Sequence, residues 1–239
     1  MKDIKKIVKE KYKEIAVKGS GCCNNNKEIS KNIGYSDEDI SMGEGANLGL
    51  GCGNPVAISK IKEGDTVLDL GCGAGFDCFL AAKKVGKSGK VIGVDMTEKM
   101  IGKAKLNAKK LGAKNVEFIL GEIEKLPLGD NSVDIIITNC VINLTPDKLK
   151  TFKEAHRVLK TGGKIYLSDI VLLEELSGEQ RDDENLLAGC VAGALLKEDY
   201  LDKIKSAGFN VRILSENKEI SKKQYNGIAL ESLTVEATK

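Results

Sequence analysis

The segment from Asp65 to Asp95 constrains the fold more than any other part of this chain. An apolar run, TVLDL, ends in DLGCGAG, a helical pattern follows, and a second apolar run, VIGV, closes on Asp95. Glycine is needed in such a turn because the backbone must change direction sharply and approach a ligand with no side chain in the way. The spacing of Gly71, Gly73 and Gly75 is G-x-G-x-G rather than the dinucleotide pattern G-x-G-x-x-G. Asp95 follows about 20 residues on, where a carboxylate can accept both hydroxyls of a ribose. Strand, glycine turn, helix, strand and acid in register predict a nucleoside site.

The rhythm continues. VEFIL, VDIIIT and KIYLS are short apolar runs of the kind buried on both faces of a parallel sheet. Thr97 is expected to cap EKMIGKAKLNAKKLG, which stops at Gly112. Thr145 before Pro146 is expected to start DKLKTFKEAHRVLK, which stops at Gly162 and Gly163. The fold class is therefore α/β, a Rossmann-like, doubly wound, mostly parallel seven-stranded sheet with an antiparallel edge strand from the C-terminal NGIALESLTVEATK. Ligands belong outside the carboxyl ends of its strands. Before the core, Ile4, Ile7, Val8, Tyr12 and Ile15 mark a helix face that serves as a lid or brace. KGSGCCNNNKEISKNIGYS reads as a loop, and Ser36 with Asp39 as a capping box. Three parts are expected: N-terminal helices and cysteine loops over 1–60, a cofactor-binding core over 61–170, and a helical insertion over the pocket with the end of the sheet over 171–239.

The 37 basic and 35 acidic residues nearly cancel, to +2, so no electrostatic case exists for a nucleic-acid or membrane partner. No stretch approaches the ~20 apolar residues of a membrane span, and the lysine-rich start lacks a signal-peptide core. A cytoplasmic protein is expected. Seven cysteines, an odd number, argue for free thiols in a reducing compartment.

Three of those cysteines lie in separate segments: Cys52 in LGLGCGNP, Cys140 in TNCVINL and Cys190 in AGCVAGAL. Their separation excludes the paired spacing of a zinc ribbon, while three thiolates gathered at one pocket would suit a soft ion. Cys140 follows the fourth strand at the ligand-binding edge, and Cys52 lies between glycines. AGCVAGA around Cys190 suits close helix packing equally well. Cys72, in the glycine turn, and Cys78, on the next helix, read as structural.

From about Ile61 to Asp169 the chain resembles the class I methyltransferases that use S-adenosylmethionine. The resemblance implies that Asp69, Gly71, Gly73 and Gly75 lie against the methionine part of that cofactor, that Asp95 holds its ribose and that Met96 packs on adenine. It places Glu122 and Ile123 at the adenine edge and Asn139 at the edge of the cofactor. GEGANLGLGCGNP, DIIITNCVINLTPDK, KIYLSDI and AGCVAGAL are similar to the arsenite methyltransferase family, from Tyr35 to about Leu196. That resemblance implies that Cys52, Cys140 and Cys190 hold trivalent arsenic, as arsenite or its thiol conjugates, for methylation in arsenic detoxification. A thiol reductant, glutathione or thioredoxin, is implied as co-substrate. The family's N-terminal cysteine is represented by the pair Cys22 and Cys23. These could relay arsenic, form a disulfide with Cys52, or be exposed thiols, and a relay or redox role is favoured.

The chemistry is consistent on its own terms. Arsenic(III) takes up to three thiolates in a pyramid and keeps a lone pair at the open apex. No proton need be abstracted from it, which accounts for the lack of general-base machinery; the single histidine, His156 in EAHRVL, suits a surface or interface role. Two other readings stay open. One is methylation of an organic molecule such as a quinone-like ring, against which five Phe, five Tyr and no Trp offer few residues to line a flat pocket. The other is a soft-metal binding protein, although structural zinc normally takes four ligands.

Overall fold

The computed structural model describes residues 3–19, 26–43, 45–225 and 227–239. Helices α1 (Ile4–Lys18), α2 (Asn26–Asn32), α3 (Asp37–Met42) and α4 (Pro55–Ile58) precede the core. Then follow β1 (Thr66–Leu70), α5 (Phe76–Val85), β2 (Lys90–Asp95), α6 (Glu98–Leu111), β3 (Val116–Leu120), β4 (Val133–Asn139), α7 (Lys148–Val158) and β5 (Leu159–Leu172). The chain ends with α8 (Gly178–Asp182), α9 (Glu184–Ala188), α10 (Lys197–Ser206), β6 (Asn210–Asn217), α11 (Glu219–Gln224) and β7 (Leu230–Thr238).

Among the described residues the strands form one seven-stranded sheet in the order β3-β2-β1-β4-β5-β7-β6. β1 pairs in parallel with β2 and β4, β2 with β3, and β4 with β5. The expected doubly wound α/β fold is what forms. The antiparallel strand, however, is one place in from the edge: β7 pairs antiparallel with both β5 and β6, and β6 is the edge strand. The cause is α10, which carries the chain across as a crossover, so that β6 runs in the direction of the core strands. β7 then returns through the gap.

The apolar strands pack as their sequence requires. Val67, Leu68, Val91, Val94, Ile136 and Ile137 are fully buried between helices on both faces. One layer of core joins β1 and β2 to α5 and α6, with Cys78, Phe79, Met100 and Phe118. The other joins Leu68, Ile136 and Leu167 to Phe152, Tyr200 and Ile204 of α7 and α10. β5 runs unbroken through Ile170 and Val171, so the insertion that carries α8 and α9 begins only after Leu172.

Three local expectations are corrected. The stretch read as a loop contains α2, which lacks a long apolar face because only Ser30 is buried. α7 begins after Asp147, whose side chain accepts from the Lys150 N–H, whereas Thr145 closes the preceding turn by donating to the Ile142 carbonyl. It ends at Val158 rather than Gly162, because Leu159 already pairs with Val133. The capping box is present as read, with Ser36 and Asp39 exchanging side-chain bonds.

Candidate active site

A cleft opens at the carboxyl ends of β1, β2 and β4, lined by the glycine turn, Asp95–Thr97, Gly121, Ile123, Glu124 and residues 139–141. Gly73 has φ +52°, and a Cβ there would point into open space with no atom within 4 Å. Gly75 differs: it is left-handed too, but its Cβ would meet the Phe118 ring at 2.8 Å and the Phe79 ring at 3.0 Å. It lets α5 pack on β3 and does not line the cleft. Gly71 lines it, beneath Val141.

Four carboxylates line the cleft: Asp69, Asp77, Asp95 and Glu124. Asp95 accepts the Gly73 N–H at 3.0 Å and the Thr97 N–H at 2.8 Å. Burial raises its pKa, against the pull of those two bonds. Asp69 accepts from the Cys78 thiol at 3.1 Å and is pushed well above the usual carboxylate range by burial. Asp77, not anticipated from the sequence, is pushed up to about 6 by burial while accepting from the Tyr35 hydroxyl at 2.6 Å. Met96 and Ile123 supply apolar wall. Glu122 does not line the cleft; it turns outward, pairs with Lys5 at 2.7 Å and remains 55% exposed. The carboxylate at this turn that does line the cleft is Glu124, buried and 3.0 Å from Lys5.

Beside the cleft, three segments bring Cys52, Cys140 and Cys190 into one buried cluster. The neighbouring Cys190 and Cys52 thiols, together with burial, drive the Cys140 pKa well up. The Cys52 thiol is raised chiefly by burial. Cys190 Sγ donates to the Cys140 carbonyl at 2.8 Å. Cys140 also lines the cleft, so it is the thiol at the boundary of the two sites. Cys140 and Cys190 have φ of +58° and +68°, the left-handed region that side-chain-bearing residues rarely adopt. Such strain persists where surrounding structure over-determines it, and it clusters at functional sites.

Asp169 lies beside two of these thiols: one of its carboxylate oxygens, Cys52 Sγ and Cys140 Sγ lie within 4.8 Å of one another, a group that does not include Cys190 Sγ. Asp169 was not legible as a site residue, because it sits inside a long apolar strand. Its oxygens are already engaged by Asn143 Nδ2 at 2.9 Å, the Ile170 N–H at 3.0 Å and the Tyr200 hydroxyl at 3.0 Å. Burial pushes it up to about 6. The sulfurs are therefore the donors left free to take a ligand.

Helix α1 covers both sites. Lys5, at one end, reaches Glu122 and Glu124, and Tyr12, further along, donates to the Ala188 carbonyl at 3.3 Å. The insertion with α8 and α9 delivers Cys190 from the other side. Cys22 and Cys23 lie outside the described residues. His156 stacks edge-on against Phe209 with ring centroids 5.1 Å apart, an interface role remote from both sites. Asp182, Asp183 and Glu184 are exposed, and Asp183 caps α9.

Comparison with known proteins agrees with this geometry. A methyltransferase-domain family model matches residues 61–208. An arsenite methyltransferase of Halobacterium salinarum is 46% identical over 224 residues, 87% of this chain and 57% of that protein. One from Aquipseudomonas alcaligenes is 42% identical, over 72% of this chain and 51% of its own length. The chain thus spans about half the length of the curated relatives it matches. The crystal structure of an arsenic(III) S-adenosylmethionine methyltransferase from Chlamydomonas reinhardtii superposes with a TM-score of 0.67 at 34% identity, covering 88% of this chain and 73% of that one. The chain belongs to the arsenite methyltransferase family of S-adenosylmethionine-dependent methyltransferases.

Proposed function

We propose that this protein transfers a methyl group from S-adenosylmethionine to trivalent arsenic held by Cys52, Cys140 and Cys190. The observation that carries the reading is that Cys52, Cys140 and Cys190, from distant segments, share one buried cluster beside a glycine-turn cleft that Cys140 also lines.

The cleft fits a cationic nucleoside. Gly73 leaves room against the backbone, and the Asp95 and Glu124 carboxylates line the cleft where a sulfonium and an ammonium group would lie. Asp95 would hold the ribose, Met96 and Ile123 the adenine faces, and the glycine turn the methionine end. When bound, S-adenosylmethionine supplies an electrophilic methyl carbon.

The chain's own contribution is to capture and aim the arsenic. Each thiol displaces one hydroxide from arsenite, and the thiol proton leaves with it as water. Three sulfurs then leave the lone pair at the open apex. Burial excludes water from that apex, so positioning supplies most of the rate. Methylation formally raises arsenic to the pentavalent state; two thiolates leaving together as a disulfide return it to the trivalent one. A thiol reductant, glutathione or thioredoxin, must then restore the pair, which places the reaction in the cytoplasm, and Cys22 and Cys23 are the thiols we assign to relaying arsenic or electrons. Residues 61–170 act as the cofactor-binding part, with 1–60 and 171–239 closing over the substrate. Detoxification is the physiological use that follows.

The test is to incubate the protein with arsenite, S-adenosylmethionine and glutathione and to separate arsenic species by chromatography with elemental detection. Methylated arsenic is expected from the parent and none from Cys140→Ser. Absence of methylated arsenic from a parent that binds the cofactor would overturn the reading in favour of an organic acceptor.

A further inference from the structure

A line of side-chain hydrogen bonds runs from the cleft wall to the loop of Cys52. Tyr35 and Asp77 both line the cleft. The Tyr35 hydroxyl donates to Asp77 Oδ1 at 2.6 Å and accepts from Asn139 Nδ2 at 3.0 Å. Asn139 in turn donates to the Gly53 carbonyl at 2.7 Å and accepts the Cys52 N–H at 3.1 Å. The amide has one orientation open to it, because its oxygen is taken by an N–H and its nitrogen must face acceptors. Tyr35 is itself held: its ring packs on Phe76 with centroids 4.9 Å apart, and its N–H donates to the Ser30 carbonyl at 3.0 Å. Gly34, just before it, accepts from Asn54 Nδ2 at 3.1 Å, so the Tyr35 turn is stitched to the Cys52 loop twice, through Asn54 and through Asn139. One partner satisfies a buried hydroxyl. This one has two, one on the cleft wall and one on the residue that holds the thiol loop.

We propose that Tyr35 is a positioning residue that couples the two sites, so that filling the cleft orders the Cys52 loop before arsenic arrives. A ligand packed against Tyr35 and Asp77 restrains the hydroxyl, the hydroxyl restrains the Asn139 amide, and the amide fixes the Cys52 N–H and the Gly53 carbonyl. Glycines flank Cys52, and glycine loses more backbone freedom on ordering than any other residue, which is why the restraint matters at this thiol. Ordering already imposed by one ligand is not required again by the other, so each tightens the other's binding. The two effects must be equal in size, because coupling between binding free energies is reciprocal. No proton or bond changes hands at Tyr35. The inference rests on the proposed cofactor and arsenic sites, but it fails separately, because a chain that methylates arsenic can bind its two ligands independently.

The experiment fills the cleft with S-adenosylhomocysteine, which has no methyl group to transfer, and compares the parent with Tyr35→Phe, which keeps the ring on Phe76 and loses only the hydroxyl. Hydrogen exchange of the peptide containing Cys52, followed with no arsenic present, is expected to slow on saturation in the parent and to stay as it was in the variant. By equilibrium dialysis, saturation should lower the Kd for arsenite in the parent by about fivefold or more, the lower end of coupling between sites. In Tyr35→Phe the same addition should change it by less than about twofold, within the noise of an uncoupled pair. Equal slowing and equal tightening in the two proteins would overturn the proposal, as would a parent in which the ligands ignore each other. Should Tyr35→Phe not bind S-adenosylhomocysteine, Asp77→Asn takes its place. Its uncharged amide is a weaker acceptor for the hydroxyl, so the coupling must shrink there, and undiminished coupling would overturn the proposal. A parent that binds S-adenosylhomocysteine but takes up no arsenite contradicts the proposed function, and the exchange measurement, which needs no arsenic, still decides the role of Tyr35.

Discussion

The side-chain amide of Asn139 holds the loop of Cys52 from two sides: its Oδ1 accepts the Cys52 N–H at 3.1 Å, and its Nδ2 donates to the Gly53 carbonyl at 2.7 Å. The same Nδ2 reaches the Tyr35 hydroxyl at 3.0 Å, and Tyr35 donates to Asp77 in the cleft. Asn139 also directly precedes Cys140. One residue therefore fixes the spacing of two thiols that lie 88 positions apart in the chain. Asn139→Ala should weaken arsenite binding by roughly 10- to 100-fold, as loss of an orienting partner does at metal sites. Equilibrium dialysis with elemental detection checks this, and unchanged affinity would remove Asn139 from the account.

The left-handed backbone at Cys190 separates stability from function. A Cβ-bearing residue in that region costs about 1 kcal/mol or more relative to glycine. With φ at +68°, Cys190→Gly should unfold at least as late in urea as Cys190→Ala, by about 1 kcal/mol, while both lose arsenic methylation. If the alanine variant proved the more stable, the strain argument would fail.

Gly73 and Gly75 should respond differently to the same substitution. Both pay a left-handed penalty, but only at Gly75 does the new methyl meet Phe118 and Phe79. Gly75→Ala is expected to lower stability by about 2 kcal/mol or more, through strain plus overpacking. Gly73→Ala should act mainly on cofactor affinity, because its methyl enters the cleft. Calorimetric titration with S-adenosylmethionine beside urea melts distinguishes the two.

Asp77 gives a signed pH dependence. Its folded pKa of about 6 lies above the ordinary 3.8, so the neutral acid's contribution is fully present below about pH 4 and is lost as pH rises through about 6. Relative to Asp77→Asn, the parent should lose roughly 3 kcal/mol of stability between pH 4 and pH 7, from about 1.4 kcal/mol per pKa unit. Parallel stability curves for the two proteins would contradict this.

Arsenic capture should accelerate with pH even though its products are neutral. The thiolate is the attacking form, and Cys52 and Cys140 are both held above the usual thiol range. Stopped-flow capture of arsenite is expected to quicken as pH rises from 7 toward 9, and a flat rate would indicate that thiol ionisation does not limit capture.

The parts legible in the sequence are those in which one short segment carries its own reason. DLGCGAG with Asp95 encodes a turn that only glycine permits, and alternating apolar runs encode a buried parallel sheet, so the core and its ligand-binding edge could be read directly. Glu122 was misplaced because a turn's spacing does not say which of two acids faces inward, and Lys5, over a hundred residues away, pairs with both. Tyr35, Asp77 and Asp169 were not legible as site residues, since their meaning arises from partners across the sheet: Asn139 for the first two, and Asn143 and Tyr200 for the third. The position of β7 likewise depends on the direction in which α10 returns the chain, which no local pattern states.

The most direct test of the account is X-ray absorption at the arsenic edge on the chain loaded with one arsenite, with Cys22, Cys23, Cys72 and Cys78 replaced by serine. Three sulfur neighbours and no oxygen are expected, with one sulfur giving way to oxygen in Cys190→Ser. Oxygen neighbours in the parent, or a sulfur shell that Cys190→Ser leaves untouched, would contradict a substrate held by these three thiols.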